Sequence, residues 1–257
     1  MGSPQMSDSP APITLVPLPG IPGVEAGDDL TELISAAAAR AGVALENGVL
    51  VVCQKIVSKS EGRLVALANV EPSQEAKRIA KEDEKDPRHV QVVLDESVRI
   101  VRRGHRVVIC ETRHGFVCAN AGVDLSNSTG DDIAVLLPID PDASAARLRQ
   151  GLLDAGAHDL AVIVTDTFGR PWREGLVDVA IGSAGIEPIR DVRGSQDLAG
   201  RELVVTTMAS ADQLAAAAGI LMLKDAGVPA VWVTGVEISG DGRIADTLRD
   251  PQSDLFR

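Results

Sequence analysis

Apolar positions near the start of the chain alternate between the period of a helix and that of a strand. A spacing of three and four residues from Leu30 to Ala38 predicts an amphipathic helix, with Asp29 placed to cap its start and Gly42 to end it. The turn signal Asn47-Gly48 precedes a continuous apolar run from Val49 to Cys53, which predicts a buried strand. The sequence therefore indicates a fold that mixes both kinds of element.

The rest of the chain continues this alternation. Further helices are predicted over 72–83, 90–102, 141–155 and 210–227, and further strands over 106–111, 115–119, 133–137, 160–165, 203–206 and 228–233. Strands and helices do not follow a strict β-α-β order, so we expect a mixed α/β fold of the α+β type, and not a barrel, a Rossmann fold or a P-loop fold. Residues 1–12 are expected to form a disordered leader and 13–257 a single domain, with a subdivision near residue 140 as the alternative.

Composition narrows the class of function. Lys and Arg number 25 against 37 Asp and Glu, which gives a net charge of −12, and only 2% of the residues are aromatic. A protein that coats nucleic acid needs clustered cations and often stacking platforms, so this class is excluded. A single nucleotide is not excluded, because a few cations balance its charge.

The cysteines and the apolar stretches indicate the cellular compartment of the protein. Cys53, Cys110 and Cys118 each lie in an apolar run, which predicts buried thiols in a reducing cytosol and no disulfide framework. The longest apolar stretch, Leu214 to Leu223, is shorter than the roughly 20 residues that cross a bilayer. The first residues lack the basic and apolar regions of a signal peptide. We therefore expect a cytoplasmic protein that contacts no membrane.

Acidic side chains at two predicted strand ends are the strongest candidates for chemistry. Asp124 and Asn127 follow the strand of HGFVCANAGVD, and Asp166 and Thr167 follow the strand that leads into TDTFGRPWREG. Hard oxygen ligands of this kind suit Mg²⁺ or Mn²⁺, whose shell substrate phosphates often complete. The alternative is that both aspartates are turn residues that bond their own backbone.

Two further segments are weaker candidates. Lys55 and Lys59 follow the first strand in KIVSKSEG, where a lysine can hold phosphate as a point charge, although the alternative is a pair of solvated lysines. The glycines and prolines of residues 18–24 expose backbone groups that can contact a base. The Walker A motif is absent, and no Ser/His/Asp or Cys/His arrangement indicates nucleophilic hydrolysis.

Together these motifs form a recognisable set. They are IPGV (21–24) ahead of GDDL (27–30), KIVSKSEG (55–62), HGFVCANAGVD (114–124) followed by LSN (125–127), DPDAS (140–144), TDTFGRPWREG (165–175) and the terminal DLFR (254–257). The set resembles the coenzyme F420-0:γ-glutamyl ligase family, in its free-standing form, from about Ile13 to Arg257. The resemblance implies a ligase that uses GTP, a divalent metal and K⁺ to add L-glutamate to F420-0, followed by further γ-linked glutamates. It also implies the mixed α/β fold of that family and an intertwined homodimer.

The resemblance also assigns roles to individual positions. It implies metal ligands at Asp124, Asp166 and Thr167, and GTP contacts at Ile21, Pro22, Gly23, Val24, Gln54, Lys59 and Asn127. Thr207 aligns with a position where archaeal relatives carry a metal-binding Gln, so this ligand departs from the pattern. Arg170 and Arg173 are expected to pair with substrate oxyanions, and the alternative is a structural ion pair with Asp178 or Glu174.

The chemistry of such a ligase sets a physical demand. A carboxylate is a poor acyl donor, so we expect transfer of the γ-phosphoryl group of GTP to the acceptor carboxylate, which gives an acyl phosphate that the amine of glutamate attacks. Cations at Asp124 and Asp166 would reduce the repulsion between the two anions. Two alternative readings are a metal-dependent nucleotide or phosphate-ester hydrolase, and a GTP-binding sensor without catalysis.

Overall fold

The structure, a computed structural model, describes residues 12–125 and 132–255. Its strands are β1 (Thr14–Pro17), β2 (Glu46–Cys53), β3 (Leu64–Ala66), β4 (Ser97–Gly104), β5 (Val107–Thr112), β6 (Val117–Ala119), β7 (Ile133–Val135), β8 (His158–Arg170), β9 (Arg173–Ala184), β10 (Ile189–Asp191), β11 (Thr207–Ala209) and β12 (Ala230–Thr234). Its α-helices are α1 (Leu30–Arg40), α2 (Gln54–Ser60), α3 (Gln74–Asp83), α4 (Pro87–Asp95), α5 (Pro141–Asp154) and α6 (Ser210–Gly219). The prediction of a mixed α/β fold is confirmed.

A five-stranded sheet, with strand order β1-β12-β2-β8-β9, forms the centre of the molecule. Strands β2 and β8 are parallel, and the other neighbours are antiparallel. The middle of each parallel strand, 49–52 and 160–164, is completely buried, as expected for strands covered on both faces. The two strands therefore run toward the same edge of the sheet, where β2 ends at Cys53 beside Thr165 and β8 continues to Arg170.

Helices α5 and α6 cover opposite faces of strand β9. A Cβ atom on Gly182 would lie 2.3 Å from the backbone of Pro141 in α5, and one on Gly219 of α6 would lie 2.5 Å from the Asp178 carboxylate. A register shift in β9 puts Gly182 opposite Val164 but Ala180 opposite Thr165, so Gly182 and Asp178 point to different faces. Thr165, Thr167 and Asp178 thus lie on the α6 face, and Asp166 and Phe168 lie on the α5 face.

A second apolar core lies beside the sheet and is formed within residues 64–136. It contains Ile79 of α3, Val93 of α4, Val108 and Cys110 of β5, and Val123, which precedes Asp124. The three-stranded sheet β4-β5-β6 and the pair β3-β7 belong to this region. That residues 13–257 form one domain stays a prediction, but the described residues pack into two apolar clusters and not one.

Several predicted boundaries are correct. Asp29, Ser73 and Asp140 cap α1, α3 and α5 through their side-chain oxygens. The predicted strands 106–111, 115–119 and 133–137 correspond to β5, β6 and β7. In these segments the local capping and turn signals agree with the tertiary structure.

Other predicted elements are wrong. The helix predicted over 90–102 ends at Asp95, and its second half is strand β4, where β-branched Ile100 pairs with Cys110 of β5 and register shifts occur at Val98 and Val101. The helix predicted to reach Gly227 ends at Gly219, which has a low helix propensity and packs against Asp178. The strand predicted over 203–206 is instead β11, which begins at Thr207.

Two turn signals were also misleading. Asn47-Gly48 lies inside β2, where Asn47 adopts a left-handed φ of 51° within the strand. Strand β8 does not end near Thr165 but continues to Arg170 and returns as β9, so TDTFGRPWREG is a two-stranded arm and not a loop. Within residues 12–125 and 132–255, none of the helices is both long and apolar enough to cross a membrane.

Candidate functional site

A pocket of about 300 Å³ opens at the edge of the central sheet where β2 ends beside Thr165 of β8. The segment Ile21, Pro22, Gly23 and Val24, predicted to contact GTP, lines it together with Lys59 and Thr167. These residues are separated by many positions in the sequence but meet at one opening. The size of the pocket suits part of a ligand such as the phosphate region of a nucleotide.

The order of strands explains why these residues meet. Leu18, just after β1, donates its backbone N–H to Ala230, and Cys53, at the end of β2, donates to Pro229. The chain after β1, the start of α2 and the chain before β12 are therefore held at one edge. Helix α2 begins directly after β2 and brings Lys55 and Lys59 to that edge.

An ion pair joins the two apolar cores beside this pocket. The Lys55 Nζ atom of α2 lies 2.7 Å from Oδ2 of Asp124, which follows the second core. The backbone of Asp124 is fixed by two hydrogen bonds with Val135, of 3.0 and 2.8 Å. Burial opposes the charge on Lys55, but the hydrogen bond and the charge of Asp124 hold the pKa of Lys55 above its ordinary value.

Asp166 belongs to the same electrostatic cluster. The pKa of Asp166 is raised to about 6, chiefly by burial and to a smaller extent by the charges of Asp124 and Asp178. A hydrogen bond from the backbone N–H of Thr167 and the charge of Lys55 act in the opposite direction. The two aspartates selected from the sequence therefore lie in one region, where their negative charges repel each other.

Oxygen atoms of the kind that a hard divalent cation prefers are present in this region, but they are divided between two faces of β8. The carboxylate of Asp166 lies on one face, and the Thr167 hydroxyl and the Asp178 carboxylate lie on the other. Among the described residues, no group of three His, Cys, Asp or Glu side chains is arranged to hold a metal by itself. Such a site needs further oxygen atoms, which phosphates of a substrate provide.

Other predicted site residues lie away from the pocket lining. Gln54 is fully buried, and its Oε1 accepts a 2.7 Å hydrogen bond from Ser58, while its Nε2 has no partner among the described residues. Thr207 is exposed on β11, opposite Asp191 of β10. Asn127 lies outside the described residues. Neither Gln54 nor Thr207 contributes to the pocket wall.

The two predicted arginines lie at the tip of the β8–β9 arm. Arg170 is opposite Arg173, and its Nη2 donates a 2.7 Å hydrogen bond to the backbone carbonyl of Glu174. Trp172, between them, is 83% exposed. The tip thus projects beyond the sheet, and neither arginine lines the pocket.

Two residues of the pocket were missed in the sequence. Asp178 faces Thr167 across the β8–β9 pair, and Lys224 lies in the loop after α6. Asp178 interrupts the apolar run of LVDVAI, which is the same signal that identified Asp166. Lys224 gave no signal, because an exposed lysine in a loop is common.

A larger cavity, of about 890 Å³, lies elsewhere. Ser210 and Gln213 from the first turn of α6 line it, whereas Met222 and Lys224, which follow the same helix, line the pocket described above. The two openings are therefore at opposite ends of α6. We assign the chemistry to the smaller pocket because Lys55, which pairs with Asp124, lines that pocket and not the larger cavity.

Comparison with known proteins identifies the family. The family model described as F420-0:Gamma-glutamyl ligase matches residues 20–235. The chain is 47% identical over 250 residues to the coenzyme F420:L-glutamate ligase of Methanothermobacter thermautotrophicus, covering 95% of this chain and 99% of that protein. It is 44% identical over 252 residues to the protein of that name from Methanopyrus kandleri, covering 95% and 98%. The chain belongs to the F420-0:gamma-glutamyl ligase family.

Proposed function

We propose that this protein uses GTP to add L-glutamate to the carboxylate of F420-0 and then adds further γ-linked glutamates. The observation that carries the proposal is the pocket in which residues 21–24, Lys59 and Thr167 meet beside the ion pair of Lys55 with Asp124. The names of the archaeal relatives, each called coenzyme F420:L-glutamate ligase, support the acceptor and the amino acid.

The reaction needs an activated carboxylate. An oxygen of the F420-0 carboxylate attacks the γ-phosphorus of GTP, the bond to the β-phosphate oxygen breaks, and GDP leaves. The amine of glutamate then attacks the acyl carbon, phosphate leaves, and the amine loses a proton as the amide forms. Both steps bring anions together, so positioning and positive charge are the main contributions of the protein.

Three lysines supply that charge from the chain itself. Lys55, Lys59 and Lys224 all line the pocket, although the protein as a whole carries a net charge of −12. Backbone groups of residues 21–24 form the opposite part of the wall and are proposed to contact the guanine nucleotide. Gln54 and Asn127 are proposed as further GTP contacts, and Gln54 would have to change its rotamer to reach the ligand.

The metal ligands are part of the proposal. Asp124, Asp166 and Thr167 would hold Mg²⁺ or Mn²⁺, with K⁺ as a second cofactor, and Thr207 stays the least supported of the proposed ligands. Held by these residues, a divalent cation would supply positive charge against the repulsion between the nucleotide and the acceptor. Such a cation would stabilise the charged form of Asp166 in particular, because burial disfavours the charge of that carboxylate in the protein alone.

The protein is also proposed to form a homodimer. Exposed large apolar side chains occur on the β8–β9 arm and on the excursion between β10 and β11; they are Trp172, Leu176, Leu198, Val204 and Val205. Exposed apolar groups at this density are typical of protein contact surfaces. Arg170 and Arg173 lie on the same arm and do not line the pocket of their own chain. Their proposed contact with substrate oxyanions therefore depends on where the homodimer places this arm.

One incubation tests the activity. Protein is mixed with F420-0, L-glutamate, Mn²⁺ and GTP, and mass spectrometry follows the acceptor; we expect added glutamyl units with GTP and none without nucleotide. Hydroxylamine in place of glutamate should give the hydroxamate of F420-0, which reports the acyl phosphate. GTP cleavage that requires neither F420-0 nor glutamate indicates a hydrolase, and GTP binding without any product indicates a sensor.

A further inference from the structure

We propose that the incoming L-glutamate binds in a separate cavity on the α5 face of the sheet, a role that rests on the proposed ligase function. This cavity, which we call the arginine cavity, has a volume of about 340 Å³, and Arg113, His114, Phe116, Asp140 and Arg243 contribute to its wall. It shares no lining residue with the pocket proposed for GTP.

Two aromatic rings lie between the arginine cavity and Asp166. The ring of Phe116 lies edge-to-face with that of Phe168, at a centroid distance of 6.4 Å. Phe168 and Asp166 are on the same face of β8, two residues or about 7 Å apart along the strand. The GTP pocket uses the other face of this strand, through Thr165 and Thr167. An amine from the arginine cavity would therefore approach the activated carboxylate from a side that the nucleotide does not occupy.

The charges of the arginine cavity match a dicarboxylic amino acid. Arg113 donates to a backbone carbonyl, that of Asp95, at 2.6 Å. The Nε atom of Arg243 lies 3.7 Å from Asp142, whose carboxylate already accepts hydrogen bonds from the backbone N–H groups of Ser183, Ile244 and Ala245. Both guanidinium groups thus keep donors for further anions, which suits the two carboxylates of glutamate.

Asp140 completes the match. One oxygen of its carboxylate accepts from the backbone N–H of Ala143, as the cap of α5. Asp142 also contributes to the wall, but its carboxylate already accepts backbone hydrogen bonds, so Asp140 is the acidic side chain that we assign to the ammonium group of the amino acid. A nucleotide or a deazaflavin offers no such cation, which favours glutamate as the occupant.

Rigid walls and small size limit what the arginine cavity accepts. His114 is held by a 2.8 Å contact from Nε2 to the carbonyl of Pro138, and its ring stacks on Phe116 at 5.5 Å. A volume of about 340 Å³ is near the lower end of the range for cavities that enclose a whole ligand. Such a cavity can hold an amino acid but only a part of GTP or F420-0.

Steady-state kinetics of Arg243→Gln and Arg113→Gln test the assignment. We expect the KM for L-glutamate to rise about 10- to 100-fold in each variant, and the KM values for GTP and F420-0 to change less than about twofold. Arg78→Gln is the control, because Arg78 pairs with Glu75 and Glu82 on the exposed face of α3. An unchanged KM for glutamate, or a rise in the KM for F420-0 instead, overturns the assignment.

A second variant tests the ammonium contact. Asparagine also caps helices, so Asp140→Asn should leave α5 intact. We expect inhibition by glutarate, which lacks the amine, to be unchanged in this variant while the KM for glutamate rises. Equal weakening of both ligands, or of neither, contradicts the role of Asp140.

Direct binding separates this inference from the proposed function. Equilibrium dialysis with radiolabelled L-glutamate should show binding to the wild-type protein and about tenfold weaker binding to Arg243→Gln. If the wild-type protein binds glutamate in this way but forms no glutamyl product, the proposed ligase function fails and the cavity assignment stands. If product forms and Arg243→Gln binds glutamate as the wild type does, the cavity assignment fails alone.

Discussion

The two apolar cores each provide one carboxylate of the site, and they provide it in different ways. Asp166 lies within β8 of the central sheet, where hydrogen bonds to β9 fix the backbone on one side. Asp124 lies outside the named strands, after a turn in which Asn120, Ala121 and Gly122 adopt φ values of 50°, 53° and 71°. Two consecutive non-glycine residues in this conformation store strain, which tends to occur at functional sites.

The electrostatic surroundings of the two carboxylates differ as well. Asp124 has a partner, Lys55, at 2.7 Å. The pKa of Asp166 is raised to about 6, chiefly by burial and to a smaller extent by the charges of Asp124 and Asp178. The carboxylate of Asp166 in the central sheet is thus rigid and has little positive charge near it, whereas the carboxylate of Asp124 beside the second core is already paired with a lysine. A cation or a phosphate-bound cation complex is expected to interact most strongly with the first.

Replacement of Asp166 by asparagine is expected to have the largest effect. The change keeps the size of the side chain but removes the charge, so we expect kcat for glutamyl transfer to fall by about 10³-fold or more at ordinary Mg²⁺ or Mn²⁺ concentrations. Asp154→Asn, an exposed change on α5 that alters only a contact with Gln150, is the control. Wild-type turnover in Asp166→Asn would exclude the metal role.

Stability should respond in opposite directions to the two asparagine substitutions. The pKa of Asp166 in the folded chain, about 6, exceeds the ordinary 3.8, so the folded state binds this proton more tightly. Its contribution therefore lowers the stability of the metal-free protein as pH rises from about 4 to about 6, and the penalty persists above that range. Asp166→Asn removes it, and we expect a gain of up to about 3 kcal/mol in the free energy of unfolding at pH 7.

Asp124→Asn is expected to do the reverse. It leaves the mostly buried ammonium of Lys55 without its carboxylate, which should cost about 1–3 kcal/mol. Urea denaturation of both variants in the presence of a chelator, at pH 4.5 and pH 7, measures the difference. A loss of stability in both variants would show that the two carboxylates do not differ in the way described.

The sequence predicted the central sheet better than it predicted the second core. Buried runs such as 49–53 and 160–165 carry their own signal, and their polar ends led to Asp166 and to Lys59. The predicted helix over 90–102 includes residues 97–102 because their valines and isoleucine also match a helical spacing, and only the pairing with β5 decides in favour of a strand. Strand pairing of this kind is a long-range property.

The acidic residues of the candidate site could be predicted from the sequence, but the basic residues that surround them could not. Asp124 and Asp166 interrupt apolar segments and stand in unusual motifs, so their position was visible in the sequence. The ion pair of Asp124 with Lys55 joins residues 69 positions apart and depends on how the two cores pack. Arg113 and Arg243 gave no local signal for the same reason, since only the fold brings them to one cavity.

A contact beneath the strained turn offers the finest test of how the second core positions Asp124. The Nζ atom of Lys85 donates a 3.0 Å hydrogen bond to Oδ1 of Asn120, the first left-handed residue of the turn. Burial lowers the pKa of Lys85, which shows that its side chain is partly removed from water. Replacement by methionine removes the hydrogen bond to Asn120 and keeps an apolar stem of similar length in place. We expect a loss of about 1 kcal/mol in stability.

If the turn positions Asp124, Lys85→Met should also reduce kcat by about two- to tenfold and leave the KM for L-glutamate unchanged. Lys81→Met is the matched control, because Lys81 is exposed on α3 and lies four residues away. Reduced stability with wild-type kcat would mean that the two hydrogen bonds between Asp124 and Val135 fix the carboxylate without help from the turn. The strain at Asn120 and Ala121 would then be a property of the second core alone and not of the site.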